Sequence, residues 1–171
     1  MVMDTSNSTT DAAPGREWRV ESLAEHAQAI DAVLPLARQR IQLFDVDLAQ
    51  GGWNTAARID ALSRFLRRRD AQLQVILHDT RWVEASAPRF VDLLRQFGAG
   101  MTVYKTGAEA RGAMDPLLIV DERHYVHRFH IDRPRAAAAV DMPHAARPLV
   151  HRFEEIWATG EPGLAGTVLG L

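Results

Sequence analysis

Two short apolar runs on either side of a helix-patterned segment constrain this fold more than anything else in the chain. Residues 41–48 (IQLFDVDL) alternate only in part, as a strand covered on both faces does, and residues 73–77 (LQVIL) form a second such run. Between them, after the Gly51-Gly52 break, Asn54 stands where an N-cap belongs, and Ile59, Leu62, Phe65 and Leu66 recur at helical spacing. Strand, helix and strand in that order make a βαβ unit and imply parallel pairing.

The remaining segments extend this pattern. Over residues 22–39, Leu23, Ala27, Ile30, Val33, Leu34 and Ala37 recur at helical spacing behind an N-cap at Ser22, and Pro35 divides the helix. A helix over residues 86–97 buries Phe90, Leu93, Leu94 and Phe97, stops at Gly98, and leads into a strand over 101–104 with Lys105 at its end. Residues 106–113 read as a loop, with Trp82 in an earlier loop after Asp79. Strands over 117–120 and 125–129 are joined in hairpin fashion through residues 121–124, and a helix over 144–157 places Leu149, Val150, Phe153, Ile156 and Trp157 on one face before a Gly-rich tail. Residues 1–15 are too polar to bury a core and read as a disordered tail, leaving residues 16–171 as a single domain.

Composition narrows the function classes. With 171 residues, 47% hydrophobic, the chain is long enough for one substantial core. Its net charge of -2 supplies no global positive field for nucleic acid or anionic lipid, which disfavours both as partners. No apolar run reaches the roughly 20 residues that cross a bilayer. The absence of cysteine excludes disulfides and thiolate metal sites and makes the cytoplasm the expected compartment. The chain has no Gly-x-Ser-x-Gly elbow and no Gly-rich phosphate loop, which disfavours the enzyme classes that use them.

In a parallel sheet, ligands gather beyond the C-terminal ends of the strands, where loops converge and helix N-termini point inward. Asp45, Asp47, His78, Asp79 and Lys105 all fall at such ends and make a candidate ligand-binding set. Asp45, His78, Asp79 and Asp121 could supply acid–base function to a phosphate-containing small ligand held by Lys105 or Arg128. The alternative is that each residue ends its strand and caps the next element, as Asp does in turns generally.

His124, His127 and His130 are spaced by three and invite a metal reading, but strand periodicity sends His127 to the face opposite the other two. No metal and no cofactor is expected. Arg64, Arg67, Arg68 and Arg69 form the densest basic cluster, with Trp53 opening the same segment, which leaves a nucleic-acid-binding accessory domain as a weaker alternative, although Asp60 and Asp70 dilute the charge.

The run Met114-Asp-Pro-Leu-Leu-Ile-Val-Asp121 resembles the His-x-Lys-x-x-x-x-Asp signature strand of phospholipase D-like domains, with Met114, Pro116 and Asp121 in its three slots. LFDVDL, VILHD, MTVYKTG, LLIVDERHYVHRF and the Phe153-to-Trp157 helix match the order of the remaining pieces over about residues 38–157. The chain is therefore similar to one half of that fold, and to an uncharacterised bacterial family of such domains lacking the His and the Lys. The resemblance implies an α/β fold with a mixed, largely parallel sheet flanked by helices. It also implies a domain without the nucleophile and the phosphate-binding lysine, acting as a binding or interaction module. A homodimer is implied as well, because active relatives place two halves face to face. Asp121, which orients the histidine in active members, is expected here to cap the turn before Glu122 and Arg123.

Overall fold

The structure, a computed structural model, describes residues 14–166. In chain order it contains β1 (Arg16–Val20), α1 (Leu23–Val33), β2 (Arg40–Asp45), α2 (Ala56–Leu66), β3 (Gln72–Leu77), α3 (Arg81–Ser86), α4 (Pro88–Gln96), β4 (Met101–Lys105), β5 (Leu117–Val120), β6 (His124–Arg128), β7 (Ala136–Val140), α5 (Pro143–Ala158) and β8 (Glu161–Leu164). The strands form one mixed sheet in the order β1-β7-β6-β5-β2-β3-β4-β8. Parallel pairing is confined to β2-β3-β4, the βαβ units that the apolar runs announce, and every other pairing is antiparallel.

Alternation along the central strands sends side chains to two cores. Phe44, Ile76, Leu117 and Ile119 face Phe153 and Ile156 of α5, whereas Leu43, Val75, Leu77, Leu118 and Val120 pack with Ile30, Leu62, Phe90 and Leu93 of α1, α2 and α4. Being buried on both faces is why these strands read as near-continuous apolar runs. Phe44 and Phe153 are wholly inaccessible, and side chains of this size each stabilise the fold by about 1.5–3 kcal/mol through burial.

Helix ends follow local chemistry. Ser22 caps α1 by accepting a hydrogen bond from the Glu25 N–H, and Pro35 stands in a 3-10 turn, Leu34–Leu36, that ends the helical segment. The cap of α2 is Thr55, whose Oγ1 accepts from the Arg58 N–H. Asn54, the expected cap, instead accepts from the Arg89 N–H on α4. The expected helix over 86–97 is α4 preceded by the separate α3, the two meeting at Pro88. Trp82 therefore lies on a helix and packs against the larger core.

Three strands escape sequence reading. β1 and β8 are short and exposed along much of their length, and β7 is AAAAV, whose small side chains carry no strand pattern. Residues 1–13, most of the expected tail, lie outside the described residues. Among the described residues no helix is long and apolar enough to cross a membrane.

Candidate functional site

Strand direction decides which residues can meet. β2, β3 and β4 run parallel, so their C-terminal ends share one rim of the sheet. Antiparallel pairing brings the start of β5 and the end of β6 to the same rim, where Phe44 lies opposite Leu117 and Leu117 opposite His127. Asp45, Asp47, His78, Asp79, Lys105 and Arg128 consequently line this rim, together with Met114, Asp115 and Pro116 ahead of β5.

Asp121 is the exception and corrects the candidate set. It follows β5 at the opposite rim, where Oδ1 accepts from the N–H groups of Gln39 (2.8 Å) and Arg40 (2.9 Å) and Oδ2 from that of Arg38 (2.7 Å). It therefore holds the segment entering β2 as well as standing in its own turn, where its φ is 51°. An Asp seven residues after Met114 on an extended strand is a full strand length away, so it cannot belong to a cluster at the other end.

On the side facing α1, the rim carries a buried charged group. Arg128 is 3% exposed, and its guanidinium donates to the carbonyls of Arg133 (2.6 Å) and Ile131 (2.5 Å) and to Gln50 Oε1 (2.5 Å). This one side chain ties the β6–β7 loop to the β2–α2 loop. Burial pushes the Asp45 carboxyl up to about 7, against the hydrogen bond it accepts from the Val46 N–H (2.6 Å) and the attraction of Arg128. Burial also holds His26 of α1 down to about 4, helped by the charges of Arg128 and Arg58, and its Nδ1 has no hydrogen-bond partner among the described residues. An open cleft of about 440 Å³ beside this group is lined by Leu23, Asp47, Gln50, Arg128, Ile131 and Asp132 among others.

On the side facing α5, two histidines are held by different partners. His78 packs edge-on against Phe44, with Nδ1 2.6 Å from Thr106 Oγ1 and Nε2 2.5 Å from the Ala113 carbonyl. The carbonyl can only accept, so Nε2 carries the proton, and both ring nitrogens are occupied. His127 Nε2 lies 2.8 Å from Asp115 Oδ2, and Arg152 of α5 reaches the same carboxylate with Nε at 2.7 Å and with Nη2. Burial alone would push the Asp115 carboxyl up, but hydrogen bonds and charge from His127 and Arg152 hold it at about 2.

The other rim residues face solvent. Asp47 accepts from the Ala49 N–H in a turn beyond β2, and Asp79 is clamped by the backbone and guanidinium of Arg81, which hold its carboxyl at about 2. Lys105, the one lysine of the chain, ends β4 next to Leu77 of β3 and adds an attraction to Asp79.

Of the rim imidazoles and carboxylates, His127 and Asp115 engage each other, while His78, Asp45, Asp47 and Asp79 are held by other groups. Among the described residues no cluster of three His, Asp or Glu side chains could hold a metal. His124 accepts from the Asp141 N–H, while His130 lies past the strand and turns back on Asp132. Trp53 is 2% exposed under the Arg58 guanidinium, so it is withdrawn from any stacking on a nucleic-acid base.

Sequence reading missed Asp115 and His26, and it placed Arg152 in a local basic patch or on a solvated helix face rather than against Asp115. Asp115 was hidden between two slots of the signature strand, and His26 and Arg152 sit on amphipathic helices at positions that pass as solvated faces.

The profile of a domain of unknown function (DUF7931) matches residues 22–165. None of the curated proteins compared matches the chain. Among solved structures, the phospholipase D family member Nuc from Salmonella typhimurium is 11% identical with a TM-score of 0.62, covering 89% of this chain and 100% of its own. NucT from Helicobacter pylori is 10% identical with a TM-score of 0.60, covering 88% of this chain and 100% of its own. TrmBL2, described as an archaeal chromatin protein with a novel mode of DNA binding, is 14% identical with a TM-score of 0.64, covering 91% of this chain and 56% of its own. At these identities the likeness concerns the fold, which is phospholipase D-like.

Proposed function

The chain belongs to the DUF7931 domain family, and from that premise we propose that it is a non-catalytic phospholipase D-like module, which binds a ligand at the strand-end rim and pairs with a second copy of itself. The observation that carries this reading is the occupation of the rim's reactive groups. His78 has both ring nitrogens engaged, Asp115 is held by His127 and Arg152, Arg128 is spent on two carbonyls and Gln50, and Asp79 is clamped by Arg81. Met114 and Pro116, in the slots that a nucleophilic histidine and a phosphate-binding lysine fill in active phospholipase D-like domains, can serve neither role. Lys105 is the rim cation that remains for a ligand, and a small phosphate-containing compound suits its charge, whereas the open cleft beside Arg128 also carries Asp47 and Asp132. The absence of cysteine agrees with a cytoplasmic setting.

Pairing is supported by where apolar surface is left. Among the described residues the exposed large hydrophobic side chains are Leu23, 46% exposed, and Phe129, 55% exposed. Leu23 lines the rim cleft and Phe129 follows β6 at the same rim, so a second copy seated there would cover both. Sedimentation equilibrium at micromolar concentration should give the mass of a dimer, and Phe129→Glu should shift it toward monomer. A wild-type protein that stays monomeric throughout that range would remove the pairing from this proposal.

A second reading, acid–base chemistry on a phosphate-containing ligand, draws on one arrangement. Asp115 orients His127 as a carboxylate orients a catalytic imidazole, and Nδ1 of that ring has no hydrogen-bond partner among the described residues. It lacks a nucleophile within the same group.

A further inference from the structure

We infer that the rim opposite the candidate site carries a separate anion site, a cleft between the 3-10 turn Leu34–Leu36 and α2 that takes the phosphate group of a small molecule through Arg38, Arg64 and Arg68. The cleft measures about 250 Å³, and its walls are Pro35, Ala37 and Phe65 with the three arginines around them. No carboxylate lines it.

Like charges around one cleft repel, so side chains that line it together need anchoring. Here hydrogen bonds hold two of them. Arg68 Nε donates to the Arg38 carbonyl (3.3 Å), and Arg38 Nη1 donates to the carbonyls of Ala37 (3.1 Å) and Pro35 (3.3 Å). Among the described residues none of Arg38, Arg64 and Arg68 has a carboxylate within ion-pair distance, whereas Arg40, Arg58, Arg69, Arg95 and Arg123 each have one. The nearby acids are engaged elsewhere or stand apart. Asp121 serves the backbone N–H groups of residues 38–40, and Asp60 projects from α2 one turn before Arg64 without pairing to it.

The donors left over match an oxyanion. The whole Arg64 guanidinium, two nitrogens of Arg68 and two of Arg38 remain for a ligand, and planar guanidinium forks meet phosphate oxygens in pairs. The small volume favours a compact, highly charged group over a polymer, which needs a longer groove and a stacking surface such as the one Trp53 does not offer.

Isothermal titration with inorganic pyrophosphate at low ionic strength tests this. Measured in Lys105→Ala, where the other rim has lost its proposed phosphate-binding cation, one site per chain is expected, weakening as salt is added, with at least a tenfold loss of affinity when Arg64→Gln and Arg68→Gln are added and partial retention with Arg64→Lys and Arg68→Lys. Arg64 and Arg68 are exposed, and unchanged melting temperatures would confirm that the variants fold. Pyrophosphate binding that persists in Lys105→Ala but is lost when Arg64→Gln and Arg68→Gln are added belongs to this face, which separates failure here from failure of the rim proposal. Absence of pyrophosphate binding in Lys105→Ala, unchanged affinity once the two Gln substitutions are added, or an oligodeoxynucleotide binding this face more tightly than pyrophosphate would each overturn the inference.

Discussion

Replacing Asp45 with Asn is expected to stabilise the folded protein by about 3 kcal/mol at pH 8. The carboxyl is buried at the end of β2, and burial raises its pKa from the usual 3.8 to about 7. A folded-state pKa raised above the unfolded value means that stability is fully present below about pH 4 and is lost as pH rises through about 7. A displacement of that size corresponds to about 4 kcal/mol, and Arg128 loses part of its compensating charge in the variant, which trims the gain. His26 has the opposite sign. Its pKa is held down to about 4 from 6.5, so its contribution is complete above pH 6.5 and is lost as pH falls through about 4. The two slopes oppose each other between pH 4 and 6.5, where the wild-type protein should show a nearly level stability, followed by a short decline through about pH 7. In Asp45→Asn the decline should vanish and a rise with pH should remain, from His26 and from His124, whose pKa burial also lowers. Urea denaturation across pH 4–8 measures both, and a variant less stable than wild type at pH 8 would contradict the account.

Asp115→Ala should cost about 3 kcal/mol at neutral pH. The carboxylate is 13% exposed and accepts from His127 and twice from Arg152, so its removal leaves a shielded imidazole and a guanidinium without their acceptor. Its pKa of about 2 lies below the unfolded value, so this stabilisation is present above about pH 4 and is lost as pH falls through about 2. Arg152→Ala should cost less, about 1 kcal/mol, because that side chain is 42% exposed and screened by water. Equal losses for the two variants would mean that the packing of the Arg152 stem on α5, and not the ion pair, holds this corner together.

The central sheet was legible in the chain because burial on both faces writes itself as apolar runs, and LFDVDL and LQVIL could be little else. The outer strands were not. β7 is four alanines and a valine, small side chains that suit close packing against the helices and carry little strand propensity, and β1 and β8 are defined by the strand beside them. Strand direction likewise explains the site. Parallel order put Asp45, His78 and Lys105 on one rim without any distance being known, but an antiparallel β5 reverses the sense of its ends and so carries Asp121 to the far rim. Whether a rim residue faces α1 or α5 depends on parity along its strand. That is why Asp45 and Arg128 form one buried group while His78, His127 and Asp115 belong to another. The partners that occupy them, Gln50, Thr106, Arg152 and two loop carbonyls, come from distant segments, and no local spacing reveals such contacts.

If a phospholipase D-like scaffold persists here without its phosphodiesterase chemistry, purified protein incubated with bis(p-nitrophenyl) phosphate at pH 6–8 is the most direct test. Release of nitrophenolate no faster than in buffer is the predicted result, whereas steady turnover that is abolished by His127→Ala or His78→Ala would contradict it.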